Sequence, residues 1–150
     1  MRVGVISDTH GLLRPEAVAA LAGVEHVLHA GDVGDPAILE ALRKVAPVTA
    51  IRGNVDVSGE CARLPETELV ELGGVGVYML HDLGALDLDP VAAGVGVVVS
   101  GHSHKAKVER KRGVLYFNPG SAGPKRFSLS VSVGLLEIVD GKVEARVAEL

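Results

Sequence analysis

An α/β fold is predicted by three features of the chain. Strand-like and helix-like segments alternate from Met1 to Ile51 as β-α-β-α-β, short valine-rich runs separated by glycine turns fill the remainder, and polar residues follow the apolar runs. The opening rhythm argues for a parallel sheet with helices packed on it, whereas the second half is expected to be mostly antiparallel.

Met1–Ser7 (MRVGVIS) is short, apolar and rich in valine, and reads as the first strand. Arg14–Gly23 (RPEAVAALAG) carries an early proline and ends in glycine, the asymmetry expected of a helix. Glu25–Ala30 (EHVLHA) is the second strand. Asp35 is placed as the N-cap of a second helix with Pro36 at its first position, running to about Val45. Pro47–Ile51 (PVTAI) is the third strand. Glu66–Leu72 alternates, Gly73–Gly74 turns and Val75–Leu80 returns, so a hairpin is predicted there. Asp87–Ala93 is read as a short helix and Val95–Ser100 as a buried strand. Lys105–Lys111, Val114–Phe117, Leu129–Val139 and Lys142–Glu149 complete the strands.

At 150 residues the chain is expected to form one domain spanning residues 1–150, burying about two-thirds of its unfolded surface. A net charge of −4 gives no electrostatic ground for long-range steering toward nucleic acid, which is therefore not expected as a partner. Cys61 is the only cysteine, which excludes an intrachain disulfide and a cysteine-based zinc cage and suits a reducing cytoplasm. No segment approaches the ~20 apolar residues of a membrane helix, so membrane spanning is not expected.

The polar residues after the strands carry the chemistry. Asp8 and His10 follow the first, Asp32 the second, Asn54 the third, His81 the hairpin return, and His102 and His104 the valine run. In sheets with parallel strands, sites form beyond the carboxyl ends, so these residues can share one crevice. In extended backbone, residues two apart point the same way, which would make Asp8 with His10, and His102 with His104, two-pronged donors. Glycines before Asp32, Asn54 and His102 would let the backbone turn sharply. Two carboxylates, one amide oxygen and four imidazoles exceed the needs of one four-coordinate zinc and suit two metals sharing a bridging carboxylate. Asp32 is the candidate bridge, offering one oxygen to each ion.

The motifs "SDTHG", "HAGD", "RGNVD", "GHSH" and "NPGS" occur in this order between Val3 and Arg126. In this the chain resembles the calcineurin-like metallophosphoesterases, specifically their small bacterial and archaeal phosphodiesterases. The resemblance implies a four-layer αββα sandwich with two mixed sheets flanked by helices. It implies two divalent ions, manganese first among nickel, zinc, iron and magnesium. The first ion would take Asp8, His10, Asp32 and His104, and the second Asp32, Asn54, His81 and His102. Hydroxide bridging the ions would be nucleophilic near neutral pH and attack phosphorus in a small phosphodiester. Asp32, Asn54 and His102 are thus the candidate catalytic residues, acting through metal.

Two departures bear on mechanism. In related protein phosphatases a histidine follows the asparagine and assists the leaving group, but here the position is Val55. Asp56 is the neighbouring candidate acid, although a loop carboxylate is the preferred reading. Without an acid, esters with acidic leaving groups, such as aryl phosphodiesters, should react best. Many relatives read His-Gly-His where this chain has His81-Asp82-Leu83, so Leu83 replaces a histidine and Asp82 adds negative charge.

Other residues receive structural readings. His29 is expected to support the site or core without ligating, His26 to lie on the strand surface, and Asn118–Ser121 to form a tight turn whose asparagine can support a ligand. Lys105–Arg112 (KAKVERKR) is read as a solvated edge hairpin whose lysines block strand addition. The expected activity is divalent-metal-dependent hydrolysis of phosphodiesters. The alternatives are a phosphomonoesterase and a noncatalytic metal-binding scaffold like the superfamily's retromer subunit. A homodimer is a further expectation.

Overall fold

The alternation of side chains along β1 (Arg2–Ile6) sets the layering. Val3 and Val5 join one apolar cluster and Ile6 another, so this strand is covered on both faces. The computed structural model describes all 150 residues. After β1 come α1 (Pro15–Ala20), β2 (His26–His29), α2 (Pro36–Arg43) and β3 (Val48–Ala50). The hairpin β4 (Thr67–Leu72) and β5 (Val75–Leu80) follows, then β6 (Val95–Val99), β7 (Lys107–Lys111), β8 (Val114–Asn118), β9 (Ser132–Val139) and β10 (Lys142–Glu149).

Two five-stranded mixed sheets result, ordered β10-β9-β1-β2-β3 and β4-β5-β6-β8-β7. β1, β2 and β3 run parallel with registers such as Val5 opposite Leu28 and Leu28 opposite Thr49, as the opening rhythm requires. The sheets face each other across Val3, Val5 and Leu28 on one side and Val77, Met79, Val97, Val99, Leu115 and Phe117 on the other. Truncating the fully buried Phe117 to alanine is the kind of change that costs about 3–5 kcal/mol. On the outer face of the first sheet, α1 and α2 supply Ala17, Leu21, Ile38, Leu39 and Leu42 against Ile6 and Val27.

The outer layer of the second sheet is thinner. There Tyr78, Leu80, Val98 and Val114 are covered by Leu83, Leu86 and Leu88 from a connecting segment, and the only helical piece is the 3₁₀ turn Leu83–Ala85. The helix expected over Asp87–Ala93 does not form. Asp89 accepts from Val91 N and, through its carbonyl, from Ala93 N, and Gly94 at φ +73° then ends the single turn. The second half is mostly antiparallel, as expected: β4 with β5, β7 with β8, and β9 with β1 and β10 pair in this way, while β6 runs parallel to both β5 and β8.

Helix boundaries follow their caps. Asp35 accepts from Ala37 N at 2.9 Å and Pro36 opens α2, as expected. α1 ends at Ala20, before the predicted Gly23, and β9 begins at Ser132, after the predicted Leu129. No helix is long and apolar enough to cross a membrane.

Candidate metal centre

The loops leaving β1, β2, β3, β5 and β6 meet at one edge of the facing sheets, and each brings candidate ligands. Asp8, Asp32, His81 and His104 are buried there, His10 is half-buried, and Asn54 and His102 stand at the exposed rim. Asp8, His10 and His104 form one group whose ligand atoms lie within 4.8 Å of one another; Asp8, Asp32 and His81 form a second. Asp32 Oδ2 lies 3.5 Å from His10 Nε2 and 3.2 Å from His81 Nε2, spanning the two groups. Asp8 Oδ1 is 3.7 Å from His10 Nε2, 3.7 Å from His81 Nε2 and 3.3 Å from His104 Nε2.

The imidazoles associate in two pairs. His10 and His104 have ring centroids 5.3 Å apart, and His81 and His102 are 5.2 Å apart. His102 Nδ1 lies 3.2 Å from Asn54 Oδ1, so the rim residues keep company with His81.

The way these residues converge differs from the extended two-pronged geometry. Asp8, His10, Asp32, His102 and His104 all have positive φ, between +47° and +69°. Such backbone is costly for residues with side chains and persists only where its surroundings hold it. Here loop-to-loop bonds do so: Asp8 N donates to Gly31 O at 3.0 Å, His10 N to Asp32 O at 2.9 Å, and Gly101 N to His81 O at 3.0 Å. Of the three glycines, Gly31 turns the backbone at φ +99°, as expected, whereas Gly53 and Gly101 provide space. A Cβ at Gly53 would land on Asp32 Oδ1, and one at Gly101 on Ser7 Oγ, with Asp8 Oδ2 only 2.6 Å away.

Each carboxylate has one oxygen tied back and one turned inward. Asp8 Oδ2 accepts from Ser7 Oγ at 2.7 Å and from His102 N at 3.1 Å, leaving Oδ1 in the cluster. Asp32 Oδ1 accepts from Val55 N at 3.0 Å, leaving Oδ2. Of the two Asp32 oxygens, Oδ2 lies beside histidines of both groups, while Oδ1 is held by the backbone.

The histidines are similarly prepared. His81 Nδ1 lies 2.7 Å from the Ala30 carbonyl oxygen, which can only accept, so Nδ1 carries the proton and Nε2 faces the carboxylates. Burial opposes charge on His81, but the Asp32 carboxylate beside Nε2 and the Ala30 carbonyl at Nδ1 outweigh it and raise its pKa. Burial also opposes charge on Asp32, yet His81 and Val55 N bring its pKa down to about 2. Burial, opposed by Asp8 but reinforced by Arg126 and His10, lowers the pKa of His104 and favours the neutral, ligating form.

Asp8 Oδ1, His10 Nε2, His81 Nε2 and His104 Nδ1 are buried without a hydrogen-bond partner. Orphaned polar atoms are costly unless something fills the space between them. Oxygen and imidazole donors of this kind fit a divalent transition ion, so the residues suit the metals implied by the sequence.

Asp56 does not reach the cluster as an acid. It is 3 % exposed, and its carboxylate accepts from Val33 N at 3.1 Å, Gly34 N at 3.0 Å and Gly53 N at 2.9 Å. Both oxygens hold the loops after β2 and β3 together, which fits the loop-carboxylate role preferred from the sequence over that of a leaving-group acid. His29 behaves as expected: Gly31 N donates to its Nδ1 at 3.1 Å, leaving Nε2 to donate to Thr9 Oγ1 at 3.0 Å, and Thr9 Oγ1 donates to Val33 O at 2.8 Å. Asn118 Nδ2 donates to Gly101 O and Ser103 Oγ, supporting the histidine loop. Asp82 is turned to cap Gly84 N at 2.9 Å, and Leu83 packs on the third apolar cluster. His26 is half-buried, with Nε2 2.8 Å from Thr49 Oγ1.

Ser7, Thr9 and Ser121 were not singled out by the sequence reading. Ser121 Oγ donates to Asp8 O at 3.1 Å, and its place beside Ser7 at the site was signalled only by their membership of the motifs quoted above. The basic strand β7 lies at the sheet edge as expected, with Lys107 and Lys111 both paired to Glu109.

The model of the calcineurin-like phosphoesterase superfamily domain matches residues 1–141. A probable metallophosphoesterase of Methanocaldococcus jannaschii is 35% identical over 97% of this chain and 80% of its own length. An archaeal phosphodiesterase structure superposes with TM-score 0.83 at 25% identity, covering 100% of both chains. Vps29 of Entamoeba histolytica in complex with Zn2+ superposes with TM-score 0.75 at 26% identity, covering 99% of each chain.

Proposed function

Because the chain belongs to the calcineurin-like phosphoesterase superfamily, we propose that it hydrolyses small phosphodiesters at a centre of two divalent ions. Asp8, His10, Asp32 and His104 would hold one ion and Asp32, Asn54, His81 and His102 the other, with manganese the first choice of metal. The observation that carries this reading is the convergence of His10 Nε2 and His81 Nε2, both buried without a hydrogen-bond partner, on Asp8 Oδ1 and Asp32 Oδ2. The likeness to the archaeal phosphodiesterase supports the diester as substrate.

When bound, the ions supply a nucleophilic water near neutral pH and positive charge for the phosphoryl oxygens. The chain's own part is to hold donors in place. Ser7 and His102 N aim Asp8, Val55 N aims Asp32, and Ala30 O fixes the tautomer of His81. Preorganisation of this kind avoids moving dipoles during reaction. Val55 has no side-chain proton to give, and Asp56 is engaged by three backbone N–H groups, so the leaving group departs unassisted by either. Diesters of acidic alcohols should consequently be the better substrates.

Replacing Asp32 by asparagine keeps the acceptor for Val55 N but removes the charge shared by the two groups. Manganese-stimulated hydrolysis should fall on the order of 100-fold or more; ordinary turnover in this variant would sink the proposal. The likeness to zinc-bound Vps29 favours a second reading, a metal-holding scaffold without turnover. Specific capture of a partner protein by a metal-loaded but inactive chain would support it.

A further inference from the structure

A cleft of about 380 Å³ opens beside His102, between the turn after β5 and the start of β7. Leu83, Ala106 and Tyr116 line it together with Lys105, Lys107, His102 and one carboxylate, Asp82. Leu83 and Tyr116 continue into the apolar cluster of Tyr78, Leu80, Val98 and Val114, so the cleft has a packed apolar back. A second cleft of about 360 Å³ lies on the other side of His102, but Glu66, Asp82 and Asp87 line it together with Arg52. The largest cavity, about 420 Å³, is bounded by Arg14, Lys125 and the C-terminal residues and includes none of the candidate ligands.

Both clefts reach His102, but the first has the fuller apolar lining, with Leu83, Ala106, Tyr116 and Phe117 against Leu80 and Ala85 in the second. Sites for organic ligands combine such walls with a few placed polar groups. Lys107 is held by Glu109 at 2.7 Å, whereas Lys105 has no carboxylate partner and can meet an anion entering at His102. Asp82 borders both clefts, but Glu66 and Asp87 add two further carboxylates to the other, which is the less favourable path for an anion.

We propose that the Leu83–Tyr116 cleft seats a ring-bearing organic substituent of the phosphoester, with its phosphoryl group directed to His102. This rests on the reading of the centre as a phosphoesterase site and adds the substrate class: esters carrying an aromatic or similarly flat apolar group. Burial of the ring against Leu83 and Tyr116 gives preference over a methyl substituent, on the order of tenfold.

The test compares phenylphosphonate with methylphosphonate, which share a head group and are not hydrolysed, by calorimetric titration of the manganese-loaded protein. The wild type should bind phenylphosphonate about tenfold more tightly, and Leu83→Glu should reduce the ratio to about twofold or less. Should Leu83→Glu fail to fold because Leu83 packs on the core, Ala106→Trp fills the cleft from an exposed position and should have the same effect on the ratio. Equal affinities in the wild type, or a preserved ratio in a folded variant, would overturn the proposal. Hydrolysis of bis-p-nitrophenyl phosphate separates the two readings. Turnover without phenyl preference removes only the cleft assignment, while phenyl preference without turnover keeps the cleft and removes the phosphodiesterase.

Discussion

His81 Nε2 lies 3.2 Å from Asp32 Oδ2 while the other nitrogen of its ring is held 2.7 Å from the Ala30 carbonyl. The ring is thereby fixed with one nitrogen aimed between two carboxylates. In the metal-free protein that nitrogen retains its proton to higher pH than an ordinary imidazole, chiefly against burial and with Asp32 as partner.

A cation must displace this proton, so apparent manganese affinity should rise with pH up to the raised pKa of His81 and level off above it. His81→Ala should weaken binding at pH 8 about 10- to 100-fold and flatten the profile. Calorimetric titrations between pH 6 and pH 8 would check both; an unchanged affinity in the variant would remove His81 from the ligand set.

Gly101→Ala should damage the site while sparing the fold. The new Cβ collides with Ser7 Oγ and crowds Asp8 Oδ2, the oxygen that aligns Asp8. Manganese affinity should fall at least tenfold, with far-ultraviolet circular dichroism unchanged. Wild-type affinity would show that Asp8 needs no such alignment.

Much of this was legible before any coordinates. The parallel β1-β2-β3 unit followed from proline-started helices between valine runs, and strand-end ligands follow from where parallel sheets form crevices. Less legible was anything that periodicity and composition do not encode. The parallel direction of β6 is invisible in a valine run. The missing helix at Asp87–Ala93 depends on Asp89 and Gly94 closing one turn. The left-handed backbone of five candidate ligands is held by bonds such as Asp8 N to Gly31 O, between residues far apart in sequence. For the same reason Asp56 could be read as an acid, since its three backbone donors come from two loops.

Asp56→Ala should leave the N–H groups of Val33, Gly34 and Gly53 without their shared acceptor. A loss of about 3 kcal/mol in urea unfolding is expected, since unmet buried donors cost about 1–3 kcal/mol each and water relieves some. Asp56→Asn should lose less. If Asp56 were instead the leaving-group acid, both variants would abolish the alkaline limb of the pH–rate profile, where a required acid loses its proton, without loss of stability.

His29 predicts an acid sensitivity. Burial lowers its pKa to about 4, from 6.5, in keeping with Nδ1 accepting from Gly31 N. The unfolded chain takes up this proton as pH falls below 6.5 while the folded chain does not until about 4, so stability is full above this window and lost within it. The contribution is roughly 3 kcal/mol from the size of that shift. His29→Gln should be less stable at pH 7 and show a flatter decline between pH 7 and pH 4 in urea unfolding; an unaltered slope would place the sensitivity elsewhere.

The most direct measurement is nitrophenol release from bis-p-nitrophenyl phosphate by chelator-stripped protein, with and without added manganese. The convergence of Asp8, Asp32 and the four histidines predicts negligible release without metal and turnover restored when the ion is added. Failure of manganese, nickel, zinc, iron and magnesium alike to restore hydrolysis would contradict the phosphodiesterase account.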